Sequence, residues 1–100
     1  MKKVLVLFVA VSGLTFAGAA EGKAVYASKC ASCHGAHGEG KDAIAKMMKV
    51  EMKPLSSADV QGMSDGDLKK VILEGKGKMK AQTVSPKQAD DVVAFVKTLK

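Results

Sequence analysis

Two thiols and an imidazole stand within five residues of this chain, at Cys30-Ala31-Ser32-Cys33-His34. Residues three apart share one side of a helical turn, so Cys30 and Cys33 face the same way and His34 follows directly beside them. This is C-x-x-C-H, the spacing that attaches haem covalently: the two thiols reach vinyl-derived carbons on adjacent pyrroles and the imidazole comes under the iron. Covalent attachment replaces a weak binding equilibrium. In such a site one ring nitrogen of His34 ligates iron, while the other donates to a carbonyl that orients the ring and raises its basicity. The spacing does not name that carbonyl.

Three other chemistries use the same residue types. A thioredoxin-type C-x-x-C needs a βαβ setting, and no strand pattern occurs here. Structural zinc would need Cys30, Cys33, His34 and His37 to converge, and adjacent Cys33 and His34 do not both turn inward easily. A disulfide between Cys30 and Cys33 would close a strained, short loop and remove little unfolded-state entropy. Haem is the reading that suits all three residues at this spacing.

The elements that must position the motif can be read from spacing. Val25, Tyr26 and Lys29 or Cys30 recur at helical intervals, which predicts a helix over Glu21 to Ser32 that delivers Cys30. Three glycines between His34 and Gly40 predict a tight irregular loop, so the helix stops at the motif. Ile44, Met47 and Met48 suit a helix from Asp42 to Val50, with both methionines as core filler and Pro54 marking the end or the loop beyond. Ser64 opens another helix, with Asp65 and Asp67 in its first turn, Leu68, Val71 and Ile72 as its buried stripe, and Gly75 as its stop. Ser85-Pro86-Lys87-Gln88 supplies an N-cap, a first-turn proline and a capping-box glutamine for a last helix running to the C-terminus. Val92, Phe95, Val96 and Leu99 form its apolar face. The expected fold is all-α. One tyrosine, three phenylalanines and no tryptophan make a thin aromatic inventory, and Phe8 and Phe16 fall in the N-terminal segment. A bulky cofactor would fill the core that these short helices leave.

Ahead of the domain, Lys2 and Lys3 precede the apolar run Val4 to Val11, and Ala17-Gly18-Ala19 supplies small residues for cleavage. We read residues 1–19 as a cleaved signal peptide and 20–100 as one domain, placing the mature protein in the periplasm. Ser12, Gly13, Thr15 and Gly18 interrupt the run, leaving it short of the roughly 20 apolar residues of a membrane anchor. No cysteine follows closely enough for lipid attachment. Sixteen lysines and no arginine against ten acids give a net charge of +6, which falls to +4 without Lys2 and Lys3. Readers of nucleic acid exploit the planar arginine fork, so this mild, lysine-only basicity argues against nucleic acid as a partner.

The mature chain resembles the class I monohaem cytochromes c of the small bacterial type. Gly22 and Tyr26, then Cys30-Ala-Ser-Cys33-His34-Gly35, then Gly75-Lys-Gly-Lys-Met79, then Phe95, carry the resemblance in that order over nearly all of it. It implies about four short helices wrapped around one covalent haem c, with the first and last helices crossing where Gly22 permits close approach beside Tyr26 and Phe95. It implies Met79 as the sixth iron ligand, opposite His34. The residues suit that role: 45 positions separate the two, and Gly75 and Gly77 let the backbone run close to a flat group. Met47, Met48, Met52 and Met63 are the rival thioethers. The chain departs from the family pattern at Lys80, where a proline commonly follows the ligand, and has no proline between His34 and Pro54. His37, where relatives often carry an acid, reads as a surface or propionate-side residue. A His/Met-ligated haem has no open site, which implies a soluble monomeric carrier shuttling single electrons between acidic redox partners and no catalytic residue. Were Met79 off the iron or easily displaced, a haem enzyme or a sensor of peroxide or gas would be the alternative. That reading lacks a distal histidine or arginine to assist O–O cleavage.

Overall fold

The first and last helices of the domain pack together, with a glycine at the point of closest approach. The computed structural model describes residues 18–100. The expected signal peptide lies almost wholly outside the described residues; Gly18 and Ala19 lie within them. Helix α1 (Ala19–Lys29) is capped by Gly18 and leads through Cys30 into a single turn, α2 (Ala31–His34). Then come α3 (Asp42–Met48), the short α4 (Ala58–Gln61), α5 (Asp65–Glu74) and α6 (Pro86–Val96). Among the described residues the only β pairing is an isolated bridge between Lys76 and Met79.

α1 packs along α6, and α5 packs on α6 from another side. At the crossing a Cβ on Gly22 would stand 1.8 Å from the Asp91 carbonyl oxygen, so only glycine lets the backbones meet. Beside it the Tyr26 and Phe95 rings lie 5.1 Å apart at 53°, a tilted aromatic pair. Ile72, Ala89, Val92, Val93 and Val96 complete the buried cluster. Asp91, buried on α6, accepts from the Gly18 N–H at 2.8 Å and from Lys87 Nζ at 2.6 Å. Lys69 and Asp90, 3.0 Å apart, join α5 to α6.

The local start signals hold. Ser64 Oγ accepts from the Asp67 N–H, Ser85 and Gln88 form the reciprocal capping box, and Gly75 ends α5 with φ 83°. Three expectations are corrected. Helical bonding does not stop at the motif: His34 N–H donates to Cys30 O and Gly35 N–H to Ala31 O, so the motif itself forms a turn. The last helix ends at Val96, where Gln61 Nε2 binds the Val96 carbonyl and Lys97 Nζ reaches Gln61 O and Met63 O. Met47 is 70% exposed rather than core filler, because α3 is seven residues long and turns that side outward.

Candidate haem site

The motif sits where α1 meets its irregular continuation. Tyr26, 2% exposed, donates its phenol O–H to the Gly35 carbonyl at 2.6 Å, clamping the end of the motif onto the helical frame. Burial, with Cys30 and Glu39 adding, pushes that phenol up to about 12, so it stays a donor at any working pH. After Gly35 the chain turns back: Gly40 N–H donates to His34 O and Lys41 N–H to Cys33 O. Gly35, Gly38 and Gly40 all have positive φ, as three glycines in seven residues lead one to expect. His37 is exposed in this loop, and its N–H donates to the Glu39 carboxylate.

Cys30, His34 and Met79 line one cavity of about 160 Å³. Its wall is otherwise almost wholly apolar, with Leu55, Val60, Leu68, Val71, Ile72, Val92 and Val96. Cys33 is not among the lining residues; it is half-buried on the same turn, three positions from Cys30. Met63 also reaches the cavity, while Met47, Met48 and Met52 do not line it. Spacing could not have narrowed these rivals to Met63 and Met79, because that depends on how α5 and the loops on either side of it fold over the motif.

The electrostatics favour neutral ligands. Burial pushes the His34 imidazole below its ordinary range, so it is unprotonated near neutral pH, the form that binds metals. Its Nδ1 is buried without a hydrogen-bond partner, an unusual state for a polar atom in a packed site. Burial, then the neighbouring Cys33, pushes the Cys30 thiol up, opposite to the lowered thiol of a redox C-x-x-C pair. Among the described residues no three His, Cys, Asp or Glu side chains gather as a metal-binding group, so the zinc set of Cys30, Cys33, His34 and His37 is not assembled.

Met79 is carried on a tight turn. Lys76 N–H donates to Met79 O at 2.9 Å and Met79 N–H to Lys76 O at 3.0 Å. A Cβ on Gly75 would meet Met79 O at 2.6 Å, so the approach also requires glycine. Downstream, Gln82 N–H donates to Ile72 O and its Nε2 to Lys80 O. These bonds hold the turn, with Lys80 rather than a proline after Met79.

A family model described as cytochrome c matches residues 19–100. The chain belongs to the cytochrome c family. It is a small monohaem c-type cytochrome of all-α fold, and its cofactor is covalently bound haem c with its iron. A solved structure, the KustC0563 c-type cytochrome, superposes with a TM-score of 0.67 at 24% identity, covering 79% of this chain and 96% of that one. That likeness is one of fold. No curated protein sequence matches the chain. The residues fit the cofactor: an apolar cavity takes a flat apolar ring, a neutral buried imidazole and a thioether suit iron, and two thiols stand at attachment spacing. Among the described residues no helix is long and apolar enough to cross a membrane.

Proposed function

We propose that this cytochrome is a class I, periplasmic, soluble one-electron carrier and not an enzyme. Cys30 and Cys33 would hold the haem by two thioether bonds, and His34 and Met79 would ligate its iron. The haem supplies a metal centre that alternates between Fe(III) and Fe(II). What the chain contributes is position and surroundings. Residues 1–19 direct export and are removed. Tyr26 fixes the turn that carries His34, the apolar wall lowers the dielectric and keeps water from the metal, and the Lys76–Met79 turn presents a thioether, which raises the reduction potential by favouring ferrous iron. With His34 and Met79 both bound to the iron, no position would be left for a substrate. Lys76, Lys78 and Lys80 are exposed around the Met79 turn, and none has an ion-pair partner among the described residues. They form the docking face for acidic redox partners.

One observation carries the reading: Cys30 and His34 of the motif and Met79, 45 positions beyond His34, line a single apolar cavity. The test is the ferric absorption spectrum of the haem-loaded protein and of Met79→Ala. The wild type should show the weak long-wavelength band of sulfur on ferric iron and bind no CO at neutral pH. Met79→Ala should lose the band, lower the potential and bind CO, with the haem still attached; Met63→Ala should change none of these. A wild type that binds CO readily and has no sulfur band would move the site to the enzyme or sensor class.

A further inference from the structure

One polar contact joins the two candidate ligand segments by a route outside the cavity. Lys78 Nζ donates to the Met48 carbonyl at 2.7 Å, thirty residues away. Met48 is the last residue of α3, and its carbonyl is one of those a helix end leaves without an internal partner. The next residue, Lys49, takes the left-handed conformation at φ 58°; its N–H bonds Lys46 O, and the Val50 N–H bonds Ala45 O. Neither bond uses the Met48 carbonyl. A lysine ammonium there meets both a bare acceptor and the negative end of a helix.

The other end of α3 is tied to the haem motif. Gly40 N–H donates to His34 O at 2.7 Å and Lys41 N–H to Cys33 O at 3.1 Å, and α3 starts at the next residue. Seven residues of helix at about 1.5 Å each make a stiff spacer of roughly 10 Å. Lys78, in turn, sits inside the turn closed by the reciprocal Lys76 and Met79 bonds. The path from His34 through α3 and Lys78 to Met79 is therefore continuous.

We infer that Lys78 is a positioning residue: by holding the Met79 turn to the end of α3, it fixes the spacing of the two axial ligand segments. It does for this turn, through a distant carbonyl, part of what a proline after the ligand does locally. The inference rests on Met79 as a ligand for its effect on iron, but the strap itself is a contact that can be tested separately.

The test compares haem-loaded wild type with Lys78→Ala, Lys78→Arg and, as a charge control, Lys80→Ala. Amide hydrogen exchange is followed in peptides covering 45–50 and 76–82, and the ferric sulfur band is followed on warming. Lys78→Ala should speed exchange about fivefold in both peptides, the size expected for losing one typical hydrogen bond where solvent screens the charge. The band should disappear at a lower temperature. Lys78→Arg, which keeps a donor and a charge, should restore most of both. Lys80→Ala should leave 45–50 unchanged. Unchanged exchange in 45–50 for Lys78→Ala, or an equal change in Lys80→Ala, would overturn the strap. If the wild type has no sulfur band but exchange in the two segments is coupled, the strap stands and Met79 ligation fails.

Discussion

The α1–α6 crossing and the stretch from Lys41 to Met63 are built on different principles. In the first, protein packs on protein: Tyr26, Ala89, Val92, Val93, Phe95 and Val96 are buried, and Gly22 brings the two backbones into contact. In the second, no residue is buried, and Leu55, Val60 and Met63 turn half-buried side chains toward the cavity. One half owns its core and the other borrows it. A domain this small cannot close two protein cores from one tyrosine and the single phenylalanine of its described residues; on the proposed site, the haem would complete its second half. Tyr26 joins the halves, with its ring on Phe95 and its hydroxyl on Gly35.

The largest expected effect comes from breaking the first region. Gly22→Val would drive a branched side chain into the Asp91 carbonyl, where a single Cβ already falls at 1.8 Å. The helices must separate, costing about 3 kcal/mol or more. A chain of this size has little stability to lose. Thermal melting followed by circular dichroism should show the midpoint falling by ten degrees or so at least; a midpoint within a degree or two of wild type would mean that the crossing does not hold the frame.

A smaller effect, on rate rather than stability, comes from the surface beside the second region. Changing Lys76 and Lys80 together to Glu, with the Lys78 strap left in place, should slow electron transfer with an acidic partner roughly fivefold or more at low salt, with the gap closing as salt rises. Rates equal to wild type at every ionic strength would make these lysines solvating residues only.

The same division decides what the sequence could reveal. The capping residues Ser64, Ser85 and Gln88, the stop at Gly75 and the stripe on α6 are local chemistry, and the structure follows them closely. The motif Cys30-x-x-Cys33-His34 is local as well. α4 has four residues and no apolar period to mark it, and its Ser57 cap is seen only in the structure. Met47 was misplaced because helical spacing shows which residues share a face, not whether the face meets anything. The firmness of the Met79 turn despite Lys80 was illegible because its supports are distant: Ile72 O, ten residues before Gln82, and Met48 O, thirty before Lys78. The carbonyl for His34 is unassigned in the sequence, and its Nδ1 has no partner in the fold either.

Intact mass of the exported protein tests the central claim, that Cys30 and Cys33 together anchor one haem in the borrowed core. The account predicts a polypeptide beginning at or near Ala20 that carries one extra haem mass, kept through acid–acetone extraction in wild type and lost from a Cys30→Ala, Cys33→Ala double variant. Haem that extracts freely from the wild type, leaving the bare polypeptide mass, would contradict it.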